Sequence, residues 1–171
     1  VTLRELLWFD KTDESAQTNR RENIRKLKHL LEKLDGVELV KESTYWALKF
    51  THAYCDYIDV CNWIDKVKNK EPITAENIND LPLNLLSGQL LPYVQTDWLD
   101  TFKSDYTNSV LDMAINLSKQ EYIKGNNELL IQIANSMFAH DKTDEYALIL
   151  KCHTLYKQGR TSLAKTTFDT Y

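Results

Sequence analysis

The spacing of hydrophobic positions changes period near residue 36. Over residues 15–34, apolar side chains recur three and four positions apart, which is the spacing of one face of an α-helix. Over 37–40 and 45–50, β-branched and aromatic residues alternate with polar ones, with a polar tip at 41–44 between them. The pattern predicts a helix over about 15–34 that runs directly into a β-hairpin over about 37–50.

A short helix is predicted before this segment. Thr2 and Glu5 stand three residues apart in a capping-box spacing, which predicts a helix from there to about Trp8. After a polar connection, Asp13 or Ser15 is expected to cap the longer helix.

Beyond residue 55 the helical period returns. Thr74 is expected to cap a short helix, and after a loop-rich region a long helical remainder is predicted to open at Trp98. Trp98, Phe102 and Tyr106 are spaced for one helix face. They could line a groove, although aromatic residues at this spacing more often belong to a core.

A weak internal repeat occurs in the helical remainder. Tyr122 and Gly125 recur 34 residues later as Tyr156 and Gly159, and this period is typical of tetratricopeptide helix pairs. On that interpretation the tyrosines pack between helices and the glycines end the first helix of each pair. The same 34-residue offset also aligns Leu129 with Leu163 and Leu130 with Ala164. The alternative is that two helical hairpins match by chance.

Charge is unevenly distributed along the 171 residues. The formal net charge is −4, but residues 1–50 hold 10 basic against 9 acidic residues, and residues 17–33 alone hold six basic and two acidic residues. The distribution of charge therefore predicts a local basic surface, although the total charge is acidic. The alternative interpretation of the same cations is a solvated helix face, on which Glu22 and Lys26 pair four residues apart.

The cysteines and the hydropathy indicate the compartment. Three cysteines without a CxxC spacing favour a reducing compartment, and no apolar run is long enough to cross a bilayer. The protein is expected to be cytoplasmic. His52, Cys55 and Cys61 could form a partial metal site, but such residues are more often packing or surface residues, so neither a metal nor a cofactor is expected.

In winged-helix domains, a recognition helix that enters the major groove of DNA is followed directly by a β-hairpin, the wing. The basic helix and the hairpin of this chain have the same order, which suggests that they recognise DNA. Arg21 and Arg25 are predicted to contact bases, and Lys28 and His29 to hold the DNA backbone. Tyr45 and Trp46 are expected to pack the hairpin against the helix. The complete predicted DNA-binding set is Thr18, Arg21, Arg25, Lys28, His29, Lys41 and Thr44, the last two at the hairpin tip.

The chain resembles the activators of the Streptomyces antibiotic regulatory protein type. The resemblance lies in the segments 5–8, 15–16, 24–28 and 45–46, and in the second half in 88–92, 97–99 and 159–164. It implies a partial OmpR-type winged helix over 1–51 and a bacterial transcriptional activator domain of tetratricopeptide-like helices over 52–171. The fold expected is therefore mainly α with one hairpin.

Three departures from the family accompany the resemblance. The family's N-terminal sheet and first helix do not precede Val1, and Tyr171 falls inside the expected last helix, so the chain is expected to be a piece of a longer protein. Arg20 stands where the family has an apolar residue, which suggests a snorkelling side chain.

The expected partner is double-stranded DNA, with RNA polymerase or another protomer as a partner of the repeat half. The alternative function is a helical-repeat module that binds another protein without contacting DNA. An enzyme is not expected, because the chain has no phosphate-binding loop, zinc-protease or nucleophile-elbow motif.

Overall fold

The computed structural model describes residues 3–81 and 88–171, and it divides the chain into two compact units, Val1–Cys55 and Asp56–Tyr171. Thr2 of the predicted capping box lies outside the described residues. The first unit contains α1 (Leu3–Leu7), α2 (Asp13–Leu31), β1 (Val37–Lys41) and β2 (Trp46–Phe50). The second contains α3 (Asp56–Lys68), a 3-10 turn (Ile78–Asp80), α4 (Asp97–Ser118), α5 (Glu121–Lys124), α6 (Asn127–His140), α7 (Glu145–Lys157) and α8 (Thr161–Thr170).

The ends of α2 differ from the prediction. Thr12 caps the helix, because its hydroxyl oxygen accepts a hydrogen bond from the backbone N–H of Ser15 at 3.4 Å. The expectation that Asp13 or Ser15 caps it is therefore wrong. The helix ends at Leu31, three residues before Leu34, since the following residues form tighter turns that the periodic pattern does not distinguish from a helix.

The predicted hairpin is confirmed. β1 and β2 pair antiparallel with Val37 opposite Phe50 and Lys41 opposite Trp46, and the Glu42 N–H donates to the Tyr45 carbonyl at 2.9 Å across the turn. Lys41 is thus the last paired residue of a strand and does not belong to the tip, where it was predicted. β1 extends to Lys41 because this residue pairs with Trp46 of β2.

Gly36 connects α2 to the hairpin in a conformation that requires glycine. Its φ is +77°, and a Cβ built there would lie 2.9 Å from the backbone nitrogens of both His52 and Ala53. The Gly36 carbonyl accepts a hydrogen bond from Thr51 at 2.8 Å. The backbone at Gly36, before β1, therefore lies directly against the backbone of residues 51–53, after β2.

The first unit buries few apolar side chains. Ala16 of α2 and Leu39 of β1 are the buried apolar residues among those described in this unit. The apolar stripe remains partly open, since Leu27 and Leu30 of α2 and Leu34 just beyond it are 41%, 60% and 56% exposed. Apolar residues spaced three and four apart normally face a core, but in this unit they do not form one.

The second unit is a sequential helical assembly. α3 packs on α4, α4 on α6, α6 on α7, and α7 on α8, around an apolar core. The Thr74 prediction is wrong, because that region makes only the 3-10 turn, and Asn77 accepts the Thr74 N–H at 2.9 Å. Core residues include Val60, Trp63, Ile64, Val110, Leu117, Ile123, Ile133 and Met137. In the described ranges no helix is both long and apolar enough to cross a membrane.

The 34-residue repeat has a mixed outcome. Tyr122 and Tyr156 are 44% and 67% exposed, so the expectation that they pack between helices is wrong. Gly125 and Gly159 do follow helix ends, after α5 and α7. The matched positions Leu130 and Ala164 are both buried, on α6 and α8, the helices that follow these glycines.

Candidate nucleic-acid interface

Three of the cationic side chains of α2 share one face of the helix. Arg21, Arg25 and Lys28 are all exposed. Their spacing of four and three residues places them within about 60° of each other around the helix axis. Leu27 and Leu30 of the apolar stripe lie on a different side of the helix. The basic face is exposed, and Lys28 on it also covers the ring of Trp46.

Arg25 is held by a carboxylate on the same face. Its Nη2 lies 2.8 Å from Oε1 of Glu22, and its Nε donates to the second carboxylate oxygen at 3.2 Å. This bidentate contact holds the pKa of the Glu22 carboxyl below its ordinary value. Lys26 lies 3.8 Å from the same carboxylate, as the solvated-face alternative predicted. Glu22 thus engages the Nε and Nη2 donors of the Arg25 guanidinium and neutralises its charge locally.

Thr18 and His29 are engaged locally. The Thr18 hydroxyl donates to the backbone carbonyl of Glu14 at 3.0 Å, and Nδ1 of His29 lies 3.3 Å from a carboxylate oxygen of Glu32. Both side chains are exposed and remain on the basic face. Arg21 and Lys41 are exposed and make no ion pair with any described residue.

The hairpin meets α2 through a cation and an aromatic ring. Lys28 Nζ lies 5.3 Å from the ring centroid of Trp46, and β1 packs against α2. Trp46 is half-buried, as expected for a residue that joins hairpin and helix, whereas Tyr45 is 61% exposed and its predicted packing role is wrong. Lys41 and Thr44 are exposed at the turn end of the hairpin.

Two features of this surface do not follow from the predicted pairing of Glu22 with Lys26. Glu22 makes its shorter contact with Arg25, at 2.8 Å against 3.8 Å for Lys26. The ring of Trp46 lies under Lys28, a contact between residues 18 positions apart. Spacing on one helix could have indicated the first pair, but no local signal could have indicated the second.

The exposed face combines two guanidinium groups, an ammonium group and an imidazole on the helix with a further ammonium group on the adjacent hairpin. The carboxylates of Glu22 and Glu32 lie among them. No protein-family model, curated protein or solved structure matches the chain. Over 3–81 and 88–171, no group of three or more His, Cys, Asp or Glu side chains is arranged to hold a metal ion.

Proposed function

We propose that the chain is part of a DNA-binding transcription regulator of the Streptomyces antibiotic regulatory protein type. In this proposal α2 enters the major groove, with Arg21 and Arg25 toward base edges and Lys28 and His29 toward phosphates. The turn end of the hairpin, with Lys41 and Thr44, reaches the neighbouring backbone or minor groove. The second unit contacts RNA polymerase or another protomer.

The observation that supports the proposal best is the exposure of Arg21, Arg25 and Lys28 on one helix face that a β-hairpin follows. A helix fits the width of the major groove, and guanidinium forks match the acceptor pair of guanine. The contact between Lys28 and Trp46 supports a fixed relation between helix and wing. The exposed side chains of Ile149 and Tyr156 on α7 support a protein contact for the second unit.

The direct test is the binding of the full chain to mixed-sequence duplex DNA, followed by fluorescence anisotropy at several salt concentrations. If five phosphates are neutralised, the slope of log affinity against log salt is about −4 to −5. The double variant Arg21→Ala/Arg25→Ala should weaken binding at least about tenfold, because it removes two cations from the contact face.

The matched control removes two exposed lysines from the second unit, Lys157→Ala/Lys165→Ala, and therefore changes the net charge equally. This control should bind DNA within about twofold of the unmodified chain if contact is confined to the basic face. A salt slope near zero, or equal losses in both double variants, would reject the proposal. Retained binding of a protein partner without any DNA binding would favour the interaction-module alternative.

A further inference from the structure

A groove with aromatic walls lies within the second unit. It has a volume of about 700 Å³, which is in the range of sites for small organic ligands. One wall comes from the start of α3 and another from the first half of α4, and residues 88–92 complete the lining. Phe102 and Tyr106, the aromatic pair singled out from the sequence, both line it, whereas Trp98 does not.

The aromatic rings form a connected surface. The Tyr57 ring centroid lies 5.8 Å from that of Tyr106, with 30° between the ring planes, and 6.0 Å from that of Phe102. Phe102 is 45% exposed and therefore keeps an open face. Such surfaces attract both apolar groups and cations, because the faces of aromatic rings carry negative charge density.

Among the described residues that line the groove, the single charged side chain is that of Asp56. Asp56 accepts a hydrogen bond from the Tyr57 N–H at 2.7 Å, and in the described ranges no basic side chain forms an ion pair with it. Lys103, next to Phe102 in the sequence, donates to the Val94 carbonyl and does not line the groove. A carboxylate without a cationic partner beside aromatic rings selects for positive charge.

The electrostatic surroundings agree with this selectivity. Burial first, and then the nearby Cys61, Asp56 and Tyr57, together raise the pKa of Tyr106 to about 12. The phenol is therefore neutral at physiological pH and leaves Asp56 as the charge in the groove. Residues 56–171 hold 16 acidic and 11 basic residues, so the whole unit also attracts cations.

We propose that this groove binds a small organic ammonium ion that has an aromatic or aliphatic body. The ammonium group lies at the Asp56 carboxylate and the tyrosine faces, and the body packs against Phe102 and the loop over 88–92. The proposal concerns the second unit alone and does not depend on DNA binding by the first.

Two probes of nearly equal size separate charge from hydrophobicity. Phenethylammonium and phenethyl alcohol are titrated into the full chain, and binding is followed by ligand-observed NMR. The ammonium probe should bind at least about tenfold more tightly, because only it forms a charge-assisted contact with the carboxylate. Equal affinities for the two probes, or no binding of the ammonium, would overturn the proposal.

Variants then locate the site. Asp56→Asn keeps the carbonyl oxygen that accepts the Tyr57 N–H but removes the charge, and it should reduce the ammonium's advantage to about twofold or less. Asp59→Asn makes the same change one turn further along α3, outside the groove lining, and should preserve the advantage. Phe102→Ala should weaken both probes alike. Identical behaviour of the Asp56 and Asp59 variants would also overturn the proposal.

Discussion

Glu22 and Arg25 are joined by two hydrogen bonds on the exposed face of α2, at 2.8 and 3.2 Å. The pair lies near the middle of α2, on the face where the proposed DNA contact would form. The carboxylate orients the guanidinium but also cancels its charge. Whether this pair persists or opens determines how much of the basic face is available to a phosphate or a base edge.

The Glu22→Gln variant should bind duplex DNA more tightly than the unmodified chain, by about three- to tenfold at low salt. The substitution removes an acid from the basic face and releases Arg25. Anisotropy titrations over a salt series measure both affinity and slope, and the slope should become steeper by about 1. Glu128→Gln on α6 is the charge-matched control and should change neither quantity. Unchanged affinity for the Glu22 variant would show that Arg25 does not contact DNA.

Trp46→Leu should lower the free energy of unfolding of the first unit. The variant removes the ring that Lys28 covers at 5.3 Å while it retains an apolar side chain in the strand. The lost cation–π contact amounts to about 0.5–1 kcal/mol for an exposed cation, and the lost packing area adds to it. Urea denaturation followed by circular dichroism gives the value. Trp98→Leu, a half-exposed tryptophan on α4, is the control, and an equal loss in both would argue against a specific role for the Lys28 contact.

Gly36→Ala should be the most disruptive single-methyl change in the first unit. The added Cβ would lie 2.9 Å from two backbone nitrogens, and the φ of +77° is unfavourable for alanine. We expect a loss of about 1–3 kcal/mol, or failure of the hairpin to form. Gly125→Ala provides the comparison, because its φ is −78° and its Cβ would meet nothing closer than 4.0 Å, so that variant should be neutral or slightly stabilising. Thermal melts of both variants by circular dichroism would decide the point, and equal stability would refute the close-approach argument.

Alkaline pH should destabilise the second unit through Tyr106. Its pKa is about 12 in the folded protein against an ordinary 10.0, so between these values the unfolded state loses the phenolic proton while the folded state keeps it. The stabilisation of the folded state that this group contributes is fully present below pH 10 and is lost as the pH rises toward 12. The Tyr106→Phe variant should lack this part of the decline, and the difference in phenolate absorbance between the two proteins should titrate with a pKa of about 12. A difference titration near the ordinary value would contradict the burial argument.

Local patterns accounted for several elements well. The change of period near Gly36 predicted both the long helix and the hairpin, because helices and strands repeat their side-chain directions at 3.6 and 2 residues. The same periodicity predicted that Arg21, Arg25 and Lys28 share a face. Element ends were less accurate, as at Leu31 and Lys41, since a cap or a final ladder pair depends on single contacts that periodicity does not encode.

The amino-acid order by itself therefore determined the helical class, the hairpin and the position of the basic face, because these follow from interactions between near neighbours. Only the tertiary structure decided that Leu27 and Leu30 remain exposed, that Lys28 covers Trp46, and that Asp56 and Tyr57 share a groove with Phe102 and Tyr106. Each of these relations depends on which elements pack together across long sequence separations. Burial and electrostatic surroundings are properties of that packing, and no local period specifies them.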